Sequence, residues 1–298
     1  MIGMEYGGEI VPRLPTEASG EEAMREHIDY IQAQHLPWEQ ADQLGFDVAR
    51  MKLLSRDDAT DALSCILSVP AGWTRAAGSL PFDEEIYVLD GALIVDGSDF
   101  LAHSYSFLPT GYQGNAFSSE TGATLLYFRS EQMAQELASD AEKIRARLVR
   151  HIDLSEGQWD GDFDQFGLGS MKAGARMRVL RQDPVSGETT YITATIAFRR
   201  GEKAERHPIA QEFFMLSGEL SGPLGTMQAG AYCIRPPMAK HAPYGSPTGA
   251  LILFRGFGGR QETFWEEADP FTFYPTHQPI LPDRLKPFSK QQPPQPRY

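Results

Sequence analysis

Cysteine is nearly missing from this sequence. Cys65 and Cys233 are the only two among 298 residues, too few for a disulfide framework, and they suit the role of small buried apolar residues. Positive charge is also short: 27 Lys and Arg stand against 40 Asp and Glu, a formal net charge of −13. With no basic cluster to offset it, such a surface repels a phosphate backbone or an anionic bilayer, so no nucleic-acid and no membrane partner is expected. Long apolar runs are lacking too. Gly249 to Phe254 is among the longest, whereas a membrane-spanning helix needs about 18 apolar residues or more. The stretch from Met1 to Ile10 carries two Glu and no basic residue. It lacks the charged start and apolar core of a secretion signal, and a cytoplasmic location is the expectation. Phosphate-binding Gly loops, a dinucleotide fingerprint, a Gly-x-Ser-x-Gly elbow and Cys-x-x-Cys pairs are absent as well, which removes the commonest nucleotide, hydrolase and redox motifs.

What the chain does have is a repeat. Glu84-Glu85-Ile86-Tyr87-Val88-Leu89-Asp90-Gly91-Ala92-Leu93 is matched by Gln211-Glu212-Phe213-Phe214-Met215-Leu216-Ser217-Gly218-Glu219-Leu220. Gly91 and Gly218 lie 127 residues apart, and the same offset pairs Tyr105 with Tyr232, Pro109 with Pro236 and Gly122 with Gly249. Upstream, Met51 to Asp57 resembles Met177 to Asp183 at an offset of 126. A duplication is the simplest account.

Each repeat reads as β. Glu85 to Leu89, Thr190 to Phe198 and Ala250 to Phe254 are short runs of β-branched, aromatic and aliphatic residues, punctuated by turns such as Asp96-Gly97 and Ser246-Pro247-Thr248-Gly249. Many short strands with regular turns argue for a sandwich or barrel. Helical signal is confined to the joints. Ser19-Gly20-Glu21-Glu22 is expected to open a helix running to about Gln34, with Met24, Ile28 and Ile31 on one face. Ser130 is expected to open a second, running to about Leu148 through Leu137, Ala141 and Ile144. The tail from Pro270 to Tyr298, rich in Pro and aromatics, is expected to lie extended over a barrel, with disorder the alternative for Gln291 to Tyr298.

The repeat resembles the cupin family, whose first motif is Gly, five residues, His-x-His, three or four residues, Glu, six residues, Gly, and whose second is Pro-x-Gly, two residues, His. Anchored on Gly218, the first motif places Glu205 and His207 at the two His positions and Gln211 at the Glu position. The second falls on Pro236-Pro237-Met238-Ala239-Lys240-His241, so His241 is the last His and Met238 replaces the Gly. In the first repeat Gly78 and Leu80 stand at the His positions, Glu84 at the Glu, and Gly114 at the last His, so the first site is expected to hold no metal. The resemblance implies an all-β chain of two tandem cupin (jelly-roll) β-barrels with short N-terminal and linker helices. The expected organisation is an N-terminal arm and helix over 1–40, a first barrel with a degenerate site over 41–145, a second barrel with a metal site over 146–270, and a Pro-rich tail over 271–298.

Glu205 and His207 are two apart, so on a strand they share a face. Two His and one carboxylate form the facial set of non-haem Fe(II) enzymes, with open positions for substrate and O₂. The expected cofactor is one divalent ion held by Glu205, His207, Gln211 and His241. Fe(II) is favoured, while Zn²⁺, Mn²⁺ and Ni²⁺ suit the same set. Gln211 would add a neutral oxygen or a supporting hydrogen bond. A one-residue slip would offer Glu212 instead and turn Phe214 and Leu216 inward. With Gln211 inward, Phe213, Met215 and Phe254 are candidate substrate contacts, and Glu205 and Tyr244 are candidate catalytic residues. By resemblance, the reaction is of the dioxygenase type on a small organic molecule. A Zn- or Mn-dependent isomerase, lyase or hydrolase, or a non-enzymatic binding or sensor protein, is the alternative. A homodimer is also carried over from the resemblance, with the N-terminal arm able to swap across its interface. His27 and His35 are expected at the surface; His103, His151 and His277 have no partner at ligand spacing; Trp38, Trp73, Trp159 and Trp265 are read as packing residues.

Overall fold

The computed structural model describes residues 25–114, 116–133, 135–161, 163–169, 174–269, 272–291 and 298. It is all-β, a cupin-like double-stranded β-helix with two large sheets. The first, ten-stranded, runs Val149–Asp153, Ser104–Leu108, Phe82–Val95, Ala123–Gln132, Leu63–Val69, Arg50–Arg56 and Glu39–Gln40 in pairing order. The second, nine-stranded, runs Ile28–Gln32, Ala231–Arg235, Ala210–Gly222, Ala250–Phe257, Thr189–Thr195 and Ala175–Gln182. Shorter strands curl the ends over, but neither ladder closes on itself, so the units are open rather than sealed barrels. Among the described residues no helix is long and apolar enough to cross a membrane.

Equivalent strands of the two repeats occupy equivalent places, and the motif glycines show why the spacing is kept. Gly91 and Gly218 have φ of +79° and +78°, a region costly for residues with a Cβ. A Cβ there would lie 2.3 Å from the Gly122 carbonyl oxygen and 2.0 Å from that of Gly249. Each motif glycine therefore passes directly under the glycine of the next long strand, which fixes both offsets at once. Gly218→Ala is expected to destabilise the chain by more than the roughly 1–2 kcal/mol of the left-handed backbone alone, read as a lower urea midpoint.

Two strands cross between repeats. Ile28–Gln32, ahead of the first repeat, pairs antiparallel with Ala231–Arg235 of the second. Val149–Asp153, at the head of the second, pairs with Ser104–Leu108 of the first. The expected first helix is therefore not formed over 28–32: Ile28, Tyr30 and Ile31 are buried in a strand, where β-branched and aromatic residues pack on a pleated surface. Its proposed start at Ser19 and Met24 lies outside the described residues. The second helix is also shorter than expected. Ser130–Gln132 ends a strand, and the helical part is split into Gln135–Ser139 and Ala141–Arg147, with Asp140 between them accepting from the amides of Glu142 and Lys143. Its carboxylate is a better cap than a mid-helix residue.

The sheets pack on each other through one apolar layer that includes Ile66, Tyr87, Tyr105, Phe107, Leu126 and Phe128 from the first and Ile192, Phe214, Tyr232, Ile234 and Leu253 from the second. A polar cluster crosses it with approximate two-fold symmetry. Tyr105 and Thr190 donate to Glu85, while Tyr232 and Ser64 donate to Glu212 at 2.6 and 2.7 Å. Arg255 bridges both carboxylates, with Nε 2.6 Å from Glu85, and its guanidinium lies 4.2 Å from the ring centre of Phe128, the residue at its own position in the first repeat. Each carboxylate thus draws a hydroxyl from the opposite repeat. Cys65 and Cys233 are both free and buried. The tail packs back on the chain: Ile280 bridges Asp29, Leu285 joins the inter-sheet core, and Tyr298 donates to the Leu216 carbonyl. Residues 292–297 of the tail are outside the described residues.

Candidate metal centre

The site is assembled by one antiparallel backbone bridge. Glu205 lies in the short strand Lys203–Arg206, and its N–H donates to the His241 carbonyl at 2.9 Å while the His241 N–H returns to the Glu205 carbonyl at 3.1 Å. Residues paired this way project side chains to the same face. His207, two residues on, follows on that face, and its carbonyl accepts from the Met238 N–H at 2.7 Å. Met238 has φ of +63°, and its counterpart Gly111 has +80°. The family's glycine position therefore keeps its left-handed backbone here even though its residue has changed.

One ligand atom each from Glu205, His207 and His241 can be drawn within 4.8 Å of one another. Both rings are held from behind. His207 Nδ1 lies 2.8 Å from the Glu262 carbonyl and His241 Nδ1 lies 2.9 Å from that of Ala239. A carbonyl only accepts, so each Nδ1 carries the proton and each Nε2 turns a lone pair to the interior. His241 Nε2 sits 3.3 Å from Glu205 Oε1, two acceptors face to face. His241 Nε2 and Glu205 Oε2 are buried without a hydrogen-bond partner. Such atoms need a cation or a proton between them. Burial lowers the His207 pKa against the pull of Glu205, which favours the neutral ring a metal requires. Burial also pushes Glu205 up, but His241, His207 and Arg235 outweigh it and the net shift is downward.

Gln211 lines the same cavity, with its amide 3.5 Å from the Tyr191 hydroxyl. Glu212 does not; it faces the inter-sheet cluster with Phe214, which decides the register between them. Phe213, Phe254 and Tyr244 line the cavity. Met215 does not line it and packs in the core with Phe213, Met227 and Cys233. The cavity measures about 60 Å³ and adjoins a larger cleft of about 610 Å³ that shares His241 and Tyr244.

Sequence reasoning missed Arg235, Asp29, Tyr191, Gln261 and Arg199. Arg235 is buried in the cavity wall, held by Asp29 at 2.7 and 2.8 Å, and donates to the Tyr244 hydroxyl at 2.5 Å. Asp29 comes from the exchanged N-terminal strand, so nothing in the second repeat alone could have shown it. Gln261 donates to Tyr191 at 3.2 Å and keeps a buried, unpaired Oε1. Of the remaining histidines, His27 and His35 are half-buried rather than at the surface, since residues 27–35 lie in or beside the exchanged strand. His103 meets Tyr87 at 2.8 Å, His277 meets Tyr30 at 3.1 Å, and His151 lies 3.2 Å from Ser104, all away from the centre.

In the first repeat Glu84 accepts from Arg75 through both oxygens at 2.7 Å and from Tyr127 at 2.8 Å. Arg75 also lies over Phe117 and Phe46. Glu84, at the motif's Glu position, is thus paired with a guanidinium.

Residues 162–259, which contain Glu205, His207, Gln211 and His241, match the family model described as the ChrR cupin-like domain. Solved structures share the architecture over most of the chain. The fold is that of the cupin superfamily. A candidate dioxygenase from Nostoc punctiforme superposes with a TM-score of 0.63 at 18% identity, covering 84% of this chain and 85% of its own. The protein Ylba from E. coli does so with 0.56 at 13%, covering 79% and 94%. An oxalate decarboxylase from Lactobacillus farciminis does so with 0.50 at 12%, covering 79% and 87%. No curated protein sequence matches this chain.

Proposed function

We propose that this cupin is a metal-dependent enzyme acting on a small organic substrate, with Glu205, His207 and His241 holding one divalent ion and Gln211 beside it. The observation that carries this is that His241 Nε2, facing the Glu205 carboxylate at 3.3 Å, and Glu205 Oε2 are both buried without a hydrogen-bond partner, while both imidazoles are held from behind in the ligating tautomer. Fe(II) is the favoured ion, and the reaction a dioxygenase-type oxidation, because two His and one carboxylate leave open positions. When bound, such an ion supplies Lewis acidity and, as iron, a partner for O₂. The chain's own residues do the rest. Phe213 and Phe254 exclude water and receive the carbon skeleton. Tyr244 takes a hydrogen bond from Arg235 and keeps its proton, since burial raises its pKa well above the ordinary range despite that cation. Its hydroxyl is thereby a donor aimed at a substrate oxygen.

The test is elemental analysis for Fe, Mn, Ni, Zn and Cu on protein purified without chelator, followed by an O₂-uptake screen. Near-stoichiometric iron with substrate-dependent uptake supports the proposal in full. Stoichiometric zinc without uptake keeps the enzyme but moves the chemistry to hydrolysis, lyase or isomerase reactions. Metal at background sinks it.

A further inference from the structure

We infer that the inner cavity takes a small polyhydroxylated molecule, with one oxygen pair turned to Glu205, His207 and His241 and a further hydroxyl received by Gln261 and Thr193. This rests on the metal-centre reading and names the substrate class for the same cavity. Among the described residues, five of the eleven buried side-chain N and O atoms without a hydrogen-bond partner belong to its lining: Glu205 Oε2, His241 Nε2, Gln261 Oε1, Thr193 Oγ1 and Thr195 Oγ1. The first two belong to the candidate metal donors, so three remain that a metal does not account for. Each such atom costs stability unless a partner meets it. Three of them around one cavity point to a ligand with hydrogen-bonding groups of its own.

The strand Thr189–Thr195 builds this wall. Tyr191, Thr193 and Thr195 alternate along it and line the cavity, while Ile192 between them joins the inter-sheet core. Thr193 and Gln261 are 1% and 0% exposed. Gln261 comes from the segment after Ala250–Phe257, and the next residue, Glu262, accepts from His207 Nδ1 through its carbonyl at 2.8 Å. One loop thus orients a candidate metal ligand and brings Gln261 to the cavity. Gln261 Nε2 donates to the Tyr191 hydroxyl at 3.2 Å, and the Gln211 amide donates there at 3.5 Å. A phenol accepts twice and donates once, so the Tyr191 proton is available to a further acceptor. Burial raises its pKa and keeps that proton in place. The wall therefore offers an acceptor at Gln261 Oε1, a donor at Tyr191 and two Thr hydroxyls that act either way. A hydroxyl group both donates and accepts, and so suits each of them. Leu220, Ile252, Phe213 and Phe254 supply apolar walls for a short carbon body. Roughly 10–15 Å³ of such space holds one water, so a cavity of about 60 Å³ suits a molecule of a few carbons.

The experiment compares two neutral three-carbon probes, dihydroxyacetone and hydroxyacetone, by calorimetric titration. Both carry the same chelating pair, a carbonyl and its neighbouring hydroxyl, and they differ by one further hydroxyl. Each is titrated into metal-loaded and metal-stripped native protein, Gln261→Met and Thr193→Val, with metal content measured in parallel. The native protein should prefer dihydroxyacetone by about 10-fold, the range of one hydrogen bond to a buried group that is otherwise unpaired. Gln261→Met should bring the ratio to about one with metal content unchanged. Thr193→Val should lower the ratio while raising the urea midpoint of the unliganded protein, because it removes an orphaned hydroxyl at nearly constant shape. Should Gln261→Met not fold, Thr193→Val carries the test alone. Equal affinity for the probes in native protein, binding of neither, a preference that survives Gln261→Met, or a midpoint lowered by Thr193→Val overturns the inference. The metal-centre reading fails separately: metal stays at background while the preference for the extra hydroxyl and its dependence on Gln261 persist.

Discussion

His241→Ala is expected to leave purification with metal at background, its affinity down at least 100-fold. Replacing a residue that only orients a metal-bound His typically costs 10–100-fold, and removing a donor itself exceeds that. The variant loses the Nε2 that faces Glu205 at 3.3 Å, and the remaining pair, Glu205 and His207, is a poor transition-metal site. Glu205→Ala should act in the same direction, because it removes the only carboxylate of the cluster. His277→Ala is the matched control, since that ring binds Tyr30 and Ser289 instead. Metal content measured beside circular dichroism separates loss of the ion from loss of the fold. Full metal retention in His241→Ala would falsify the assignment of this centre.

Arg255→Met should cost about 3–5 kcal/mol of stability, the range for removing one partner of a buried charge pair. Glu85 and Glu212 are each 1% exposed, and Arg255 is a cation bonded to both. Adding Glu85→Gln and Glu212→Gln to that variant should recover part of the loss, because the stranded charges are then gone; the non-additivity measures the coupling. The acid limb of the stability curve tests the same cluster. Burial raises the Glu85 pKa, but Arg255 and Arg181 outweigh it and hold it below the ordinary 4.5. A depressed carboxylate gives stability that is full above its unfolded value and lost as pH falls through the folded one. Native protein should therefore weaken below about pH 4.5, with a flatter acid limb in Arg255→Met. Urea midpoints across pH 3–7 give both results, and an unchanged acid limb would remove Arg255 from the account.

How much of this was legible beforehand depended on whether the relevant contact lay within one repeat. Gly91, Gly218, Gly122 and Gly249 announce the fold because their backbone demands are local and recur at one offset. Glu205, His207 and His241 were legible for the same reason: the motif spacing reflects one bridge between neighbouring segments. The strand Ile28–Gln32, where a helix was expected to run on to about Gln34, could not be told from a helix by local pattern. Ile28 and Ile31 fit a helical face as well as a pleated one, and the choice is made by an edge more than 200 residues away, at Tyr232 and Ile234. Asp29 and Arg235 were hidden by the same distance. Gln211 and Glu212 looked interchangeable because this strand is buried on both faces, one toward the cavity and the other toward the second sheet, so apolar alternation carried no sign. Met215 was misplaced because strand alternation gives the face of a side chain but not how far along the cavity it sits.

The reciprocal strands at Ile28–Gln32 and Val149–Asp153 make the halves interdependent. Cutting the chain near residue 148 would not yield a free-standing half carrying the candidate centre. The C-terminal piece would lack Asp29 and would expose the edge of Ala231–Arg235 beside Arg235. Two copies of a single repeat, each lending its leading strand to the other, would build the same arrangement in trans. Here the loan is made within one molecule, at residues 28–32.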